Sequence, residues 1–172
     1  MSPPTYQDIE RLAYQGVRLE VTGGRTTWEA FPGALHNGVV DDIRRNLTRD
    51  NQPQQARGGC HHIADTYIAF GPSLLRRPDI AIFCEQPPRP DGAITGRIPG
   101  TTIEVLSDGY EQKDRDVVAL YLATGVRDVI LIDPRAQTAT WPQLGEAPQQ
   151  LDLPATLSLK MGCLLRVDRI GG

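Results

Sequence analysis

The stretch between residues 101 and 132 constrains the fold of this chain more than any other part of the sequence. Residues 101–106 form a mostly apolar run with the length of a strand, and a helical apolar stripe follows from residue 111 to about 124. Residues 129–132 are again continuously apolar, as in a strand covered on both faces. Two strands joined by a helix form a right-handed crossover and pair in parallel. The sequence therefore predicts an α/β (α+β) fold, in which a mixed β-sheet core is flanked by helices.

The segments on either side supply further helices and strands. Thr5 and Asp8 are typical of a capping box at the start of a short helix that ends near Gly16. Alternating apolar residues on both sides of a Gly-Gly pair predict a β-hairpin over residues 17–30. The remaining predictions are a helix over 34–49, loops over 50–59 and 85–100, strands over 61–70 and 79–84, and short antiparallel strands near 138–141 and 163–167.

Length and composition exclude several classes of protein. The 172 residues, 40% of them hydrophobic, are enough to bury a core of their own, so one domain over residues 1–172 is expected. No run approaches the roughly 20 apolar residues of a membrane span, and the N-terminus lacks the features of a signal peptide, which favours a cytoplasmic location. The net charge of −3 argues against indiscriminate binding to polyanions, but not against a nucleic-acid enzyme with its arginines gathered on one face.

The three cysteines are odd in number and widely spaced, with no CxxC motif. This pattern argues against a disulfide framework or a structural zinc site and fits a reducing compartment. Cys60, His61 and His62 are adjacent, but neighbours in a strand point to opposite faces, so at most two of them can share a metal ion. Cys84 and Cys163 are interpreted as small core residues.

Two carboxylates lie in strands that are otherwise almost wholly apolar. Asp79 opens one such run, and Glu104 lies inside the next. A buried, ionised carboxylate needs a partner, usually a cation, and two of them on neighbouring strands would form a hard oxygen site suited to Mg²⁺ or Mn²⁺. Taken singly, each has a simpler explanation: Asp79 as a turn residue beside Arg76 or Arg77, and Glu104 as half of a buried ion pair with an arginine.

Lysine is scarce in this chain, because only Lys113 and Lys160 among its 18 basic residues are not arginine. Lys113 shares a helical stripe with Val117 and Tyr121, at spacings of four and eight residues, so its stem starts on the face turned toward the sheet. An inward lysine near two inward carboxylates is a catalytic pattern. The alternative is a side chain that snorkels at the edge of an apolar face.

The chain also carries an ordered set of short motifs between about residues 5 and 135. They are, in chain order, Arg18-Leu19-Glu20 before a Gly-Gly turn, His36 at the start of a helix, Pro78-Asp79, Glu104-Val105-Leu106-Ser107, Tyr121, Gly125-Val126 and the run from Val129 to Pro134. In this order they resemble the Uma-type restriction endonuclease family, a branch of the PD-(D/E)xK nuclease superfamily.

The resemblance implies a Mg²⁺-dependent or Mn²⁺-dependent phosphodiesterase that acts on nucleic acid, with DNA as the expected substrate. Asp79, Glu104 and the carbonyl oxygen of Val105 would bind the metal, and Glu20 would add a carboxylate or a water-mediated contact. His36 would hold Glu20 or approach a phosphate. A homodimer is expected, because cleavage of both strands needs two centres.

The position of the lysine departs from this pattern. In the superfamily it lies two residues after the second acid, where Leu106 stands, and in the Uma-type branch it commonly lies four residues before the tyrosine, where Val117 stands. Lys113 is one helical turn earlier and is the candidate catalytic lysine. The alternative hypothesis is a module on the same fold without catalysis, which binds nucleic acid or a protein partner.

Two further interpretations stay open at this point. Glu20 alternates with apolar residues in its strand, a pattern that is by itself typical of an exposed side chain. Arg76 and Arg77 are candidates for binding the phosphate backbone of a substrate, but an exposed basic pair before a strand is equally typical of a solvated surface.

Overall fold

The computed structural model describes residues 5–28, 31–49, 59–109 and 111–171, and the mixed helix and strand architecture predicted from the sequence is confirmed there. None of the helices in these ranges is long and apolar enough to cross a membrane. The helices are α1 (Tyr6–Tyr14), α2 (Ala34–Arg45), α3 (Glu111–Asp116) and α4 (Val118–Ala123). The strands are β1 (Leu19–Thr22), β2 (Arg25–Trp28), β3 (Leu47–Arg49), β4 (His61–Ala64), β5 (Ile68–Gly71), β6 (Leu74–Arg76), β7 (Ile80–Phe83), β8 (Thr101–Val105), β9 (Asp128–Asp133), β10 (Thr138–Trp141), β11 (Gln149–Asp152), β12 (Ala155–Ser158) and β13 (Cys163–Val167).

The central sheet has six strands in the order β11-β10-β9-β8-β7-β4. β8 and β9 pair in parallel and the other neighbours are antiparallel, so the parallel pairing predicted for the two strands of the crossover is confirmed. Side chains along these strands alternate between two apolar clusters. Ile80 and Ile103 join the cluster that contains α2, whereas Ala81 and Leu131 join the cluster that contains α4. Helices therefore cover both faces of the sheet.

A second sheet of four strands, in the order β2-β1-β6-β5, lies beside the central one. Its strands pair antiparallel, and α1 packs on it by burying Ile9 against Val21 and Leu75. The capping box of α1 is present as predicted, because the Thr5 hydroxyl accepts from the backbone of Asp8 and the Asp8 carboxylate accepts from the backbone of Thr5. A small third sheet, β12-β13-β3, contributes to the apolar cluster around α2.

Three predicted elements are shorter in the structure than in the sequence pattern. The helix predicted over 34–49 ends at Arg45, since the next residues form β3 and pair with β13. The strand predicted over 61–70 divides at Asp65, whose φ is 52°, and its two halves join different sheets. The helix predicted to end near 124 is interrupted at Val117 between α3 and α4. The loop predicted over 50–59 lies, up to residue 58, outside the described residues.

The expectation that the cysteines are unpaired is wrong, because Cys60 and Cys163 form a disulfide. The two residues are 103 positions apart in sequence, and only the folded chain brings their Cα atoms to 5.9 Å. Cys163 is fully buried, as expected of a core residue, and the thiol of Cys84 is unpaired and half-buried.

Candidate active site

Asp79 and Glu104 lie opposite each other on neighbouring strands of the central sheet. One residue beyond the pairing Ile80↔Ile103, Asp79 directly precedes β7 and Glu104 lies in β8, so the two acids are neighbours across the strands. The backbone N–H of Val105 donates to Asp79 Oδ2 at 2.7 Å, and the backbone N–H of Asp79 donates to Glu104 Oε2 at 3.3 Å. The two acids that the sequence singled out are therefore brought together.

His36, near the start of α2, fixes the other oxygen of Asp79. Its Nε2 lies 2.8 Å from Asp79 Oδ1, and its Nδ1 lies 3.0 Å from the hydroxyl oxygen of Ser107. The His36 and Asp79 side chains are only 12% and 19% exposed. His36 was expected to hold Glu20 or a phosphate, but the structure places it on Asp79. Ser107, part of the motif that follows Glu104, is a contact that sequence reasoning did not assign.

Glu104 is buried and hydrogen-bonded on both of its carboxylate oxygens. The Tyr121 hydroxyl donates to Oε1 at 2.8 Å, from α4. Burial raises the pKa of Glu104 well above its usual range, and the negative charge of Asp79 raises this pKa further. A carboxyl group in this environment takes up either a proton or a cation.

The ligands that this pair offers a metal ion are hard oxygens. No cluster of three or more His, Cys, Asp or Glu side chains within the described ranges could hold a metal ion by itself. Mg²⁺, however, is commonly held by one or two carboxylates and completes its octahedron with water. Asp79, Glu104 and Val105 line the same cavity, and their oxygens fit Mg²⁺ or Mn²⁺ by this rule.

Glu20 is buried, so the interpretation of this residue as an exposed strand position is wrong. Its side chain is 1% exposed and receives the backbone N–H of Arg77 on Oε1 at 2.9 Å. Its Oε2 lies 2.7 Å from Arg76 Nη1 and 2.6 Å from Lys113 Nζ. Alternation along β1 predicts which face Glu20 occupies, but not that Arg76 on the neighbouring β6 and Lys113 on α3 pair with it there.

Lys113 points from α3 into the site as the stripe on its helix predicted. It lines the same cavity as Asp79 and Glu104, and its side chain is 19% exposed. It forms an ion pair with Glu20. The neighbouring residue Asp114 also lines the cavity, and burial raises the pKa of Asp114 to about 6 against the lowering effect of Lys113. Asp114 was missed from the sequence because it belongs to a run of exposed-looking charges.

The two arginines before β7 are separated by the fold. The Arg76 side chain is 2% exposed, which does not fit the expectation that it contacts a substrate. Arg77 is 14% exposed, pairs through Nε with Asp65 Oδ1 at 2.7 Å and stacks on the Tyr67 ring. Arg77 lines a neighbouring cavity rather than the one that contains Glu104.

The cavity has a volume of about 260 Å³ and lies where the central sheet, the second sheet and α2 meet. Its wall combines the carboxylate pair with His36 and Lys113, while Arg18 and Arg135 lie on its border and pair with Asp65 and Asp108. Acids, a histidine and basic side chains around one small opening form an arrangement that can hold a divalent cation and a phosphate together.

Comparisons with known proteins concern the family and the fold of this chain. A family model described as "Uma2: Putative restriction endonuclease" matches residues 3–166, which confirms the resemblance seen in the sequence. The chain is also similar to a solved structure, described as a putative nuclease belonging to DUF820 from Anabaena variabilis ATCC 29413. That similarity has a TM-score of 0.64 and 23% sequence identity, and it covers 90% of this chain and 88% of the other, so it establishes the fold. No curated protein matches significantly.

Proposed function

Because the chain belongs to the Uma2 family of restriction-endonuclease-like proteins, we propose that it is a Mg²⁺-dependent nuclease that hydrolyses phosphodiester bonds of DNA. In this proposal one nuclease domain spans residues 1–172. Restriction-endonuclease-like families generally use a divalent metal ion. The single observation that carries the proposal is the cross-strand pair of Asp79 and Glu104 in the wall of one cavity, since two carboxylates held together favour a divalent cation between them.

The metal would be held by the carboxylates of Asp79 and Glu104 and by the carbonyl oxygen of Val105. Mg²⁺, or Mn²⁺ in its place, supplies positive charge that polarises a phosphate oxygen and lowers the pKa of a water molecule. The protein orients both carboxylates before a metal ion binds, because each of their four oxygens already accepts one hydrogen bond.

The surrounding side chains have separate tasks. With its proton on Nε2, His36 donates to Asp79 and accepts from the Ser107 hydroxyl, which fixes the orientation of the Asp79 carboxylate. Lys113, in the cavity wall, supplies a cation for the negative charge that grows on the phosphate oxygens. Glu20 holds the ammonium group of Lys113 through their ion pair.

Three finer features belong to the same proposal. DNA is favoured over RNA because the family is one of restriction endonucleases. A homodimer is proposed, since cleavage of both strands needs two centres, and light scattering on purified protein measures the oligomeric state.

The cytoplasmic location also stays a prediction. The disulfide between Cys60 and Cys163 weighs against it, because reducing compartments rarely retain such bonds.

A second function, a nucleic-acid-binding or protein-binding module without catalysis, has a specific observation in its favour. Val117 stands where the family resemblance places the lysine, and it is 1% exposed in an apolar cluster. Lys113, the replacement, is engaged in an ion pair with Glu20. If Glu20 holds Lys113 too firmly for it to meet a phosphate, the fold would bind without cleaving.

Metal binding tests the site directly. We expect calorimetric titration of the wild type with Mn²⁺ to give one site, and Asp79→Asn and Glu104→Gln to weaken that binding at least about tenfold. Glu85→Gln is the matched control, because Glu85 is an exposed acid whose ion pair with Arg97 does not line the cavity. Unchanged Mn²⁺ affinity in the two site variants would show that the assignment is wrong.

Cleavage assays separate the two functions. The wild type is incubated with supercoiled, linear and single-stranded DNA and with RNA, in Mg²⁺ or in EDTA. Metal-dependent cleavage that Asp79→Asn abolishes supports the nuclease. Binding to these nucleic acids without cleavage of any of them supports the module.

A further inference from the structure

Arg76 is the most deeply buried basic side chain near the candidate site, and the proposed mechanism assigns it no role. It lies at the end of β6, in the second sheet, and its side chain is 2% exposed. It is not part of the cavity wall, so it does not reach a substrate. Burying a guanidinium is costly unless each charge and hydrogen bond around it is compensated, so its neighbours should explain its presence.

Arg76 also acts on Tyr121, whose hydroxyl donates to Glu104 Oε1 at 2.8 Å. Burial and the charge of Glu104 raise the pKa of the Tyr121 hydroxyl, and the positive charge of Arg76 opposes that rise. A phenol has a single proton, and a cation near its oxygen favours the orientation in which this proton points toward a carboxylate. Arg76 therefore favours the direction in which Tyr121 donates, and through it the orientation of the Glu104 carboxylate.

The guanidinium forms an ion pair with Glu20. Arg76 Nη1 lies 2.7 Å from Glu20 Oε2, the oxygen that also lies 2.6 Å from Lys113 Nζ. Arg76 Nη2 lies 3.8 Å from Asp114 Oδ1, next to Lys113 on α3. The Nε of Arg76 has no hydrogen-bond partner within the described part of the chain, so the group is held by these contacts through its two terminal nitrogens.

These contacts join the two halves of the candidate site. One path runs from Arg76 through Tyr121 to Glu104, a proposed metal ligand, and the other runs through Glu20 to Lys113, the candidate catalytic lysine. A planar guanidinium can serve two directions at once, whereas the ammonium of a lysine is a point charge on a flexible stem.

We propose that Arg76 is a positioning residue of this site, which orients Glu104 through Tyr121 and Lys113 through Glu20. The inference rests on the proposed function, because it assigns Arg76 to the metal site and the lysine of that nuclease. It implies that loss of the guanidinium reduces turnover and metal affinity, and that substrate affinity, set in the open cavity, changes little.

The test compares Arg76→Lys and Arg76→Met with Tyr121→Phe, and Arg97→Met serves as an exposed arginine control. Thermal midpoints are measured first, and all assays run at a temperature at which every variant is folded. Arg76→Lys keeps the buried charge, so we expect it to retain more stability than Arg76→Met. Because one ammonium cannot both pair with Glu20 and place its charge near Tyr121, we expect kcat to fall about 10- to 100-fold, with KM within about twofold of the wild type.

A double-mutant cycle shows whether Arg76 acts through the tyrosine. If it does, the losses of Mn²⁺ affinity in Arg76→Lys and Tyr121→Phe are not additive in the double variant. Wild-type kcat and Mn²⁺ affinity in folded Arg76→Lys would overturn the positioning role, and so would fully additive losses.

The outcome for Arg76 can be separated from that for the nuclease itself. A wild type that binds Mn²⁺ but cleaves no nucleic acid contradicts the proposed function, while the Mn²⁺ titrations of the Arg76 variants still support or overturn its effect on Glu104. A wild type that binds no Mn²⁺ overturns both.

Discussion

The carboxylates of Asp79 and Glu104 are held by donors from four different parts of the chain. His36, the Val105 backbone and Tyr121 supply three of these contacts, and the Asp79 backbone supplies the fourth. Such contacts restrict each acid to one rotamer while every oxygen keeps a second lone pair. The side-chain entropy of the two acids is therefore lost during folding, and a metal ion would bind to carboxylates that are already ordered.

The role of Lys113 can be tested by comparing its substitution with that of Lys160, the chain's only other lysine. We expect Lys113→Ala to lower the rate of metal-dependent cleavage about 100- to 1,000-fold, because it removes a cation aimed at the growing phosphate charge. Lys160→Ala is the matched control, since Lys160 pairs with Glu146 outside the cavity and should keep wild-type activity. Cleavage rates at saturating Mg²⁺ measure both, and equal rates in the two variants would remove Lys113 from the site.

His36 gives a second prediction for single residues. His36→Ala takes away the partner of Asp79 Oδ1, and we expect Mn²⁺ affinity to fall about 10- to 100-fold in calorimetric titrations. His62→Ala is the control, because His62 lies on β4 and lines a separate cavity. If both variants bind Mn²⁺ like the wild type, the hydrogen bond of His36 does not position Asp79 for metal.

At the scale of secondary-structure elements, the site depends on how short strands are joined rather than on any long element. Glu104 lies in β8 and Asp79 directly precedes β7, and the antiparallel register of the two strands brings the acids together. A shift of that register by one residue would turn one carboxylate to the opposite face of the sheet. The apolar alternation of Ile80, Ile82 and Ile103, all fully buried on the α2 face, makes such a shift costly.

The disulfide acts at this scale, because it connects the residue before β4 to β13. It closes a loop of about a hundred residues, and we expect its reduction to lower the free energy of unfolding by about 2–5 kcal/mol. Denaturant titrations with and without reductant measure this difference. Thiol counting on denatured protein purified without reductant should give one thiol, Cys84, and a count of three would show that the bond does not form.

At the scale of the whole molecule, the cavity exists because two sheets meet. Glu20 and Arg76 come from the second sheet, Asp79 and Glu104 from the central sheet or its edge, and Lys113 from the helical crossover. This convergence collects four acids, Glu20, Asp79, Glu104 and Asp114, around two cations, Arg76 and Lys113. Without a metal ion, protonation of some of these acids reduces the excess of negative charge.

This charge excess predicts a pH dependence of stability. The pKa of Asp114 is raised from its ordinary 3.8 to about 6 in the folded protein, mainly by burial. Between these values the folded protein keeps a proton that the unfolded chain releases, so the contribution of Asp114 to stability is lost as pH rises through about 6. We expect this loss to be at most about 3 kcal/mol.

Asp114→Asn removes the titrating group and serves as the comparison. Denaturant unfolding of both proteins in EDTA, from about pH 4 to pH 7, should show the wild type losing stability relative to Asp114→Asn as the pH rises. A constant difference across this range would contradict the raised pKa.

Short-range sequence patterns were enough to predict several features of this fold. Thr5 and Asp8 fixed the start of the first helix, and the apolar runs at 101–106 and 129–132 required a parallel pair joined by a crossover. Asp79 and Glu104 could be identified because a carboxylate in an apolar strand is conspicuous at short range. Such features depend only on residues a few positions apart, so a single sequence is enough to predict them.

The remaining contacts of the site join residues that are far apart in sequence. Glu20 is buried because Arg77, 57 residues away, donates to it and Arg76 pairs with it. The same long-range packing turned Arg76 from a surface candidate into a buried cation, and it joined Cys60 to Cys163. Strand alternation tells which face a side chain takes, but burial depends on what covers that face. The groups that bury Glu20 come from β6, which is distant in sequence, and from α3, and no local pattern encodes their positions.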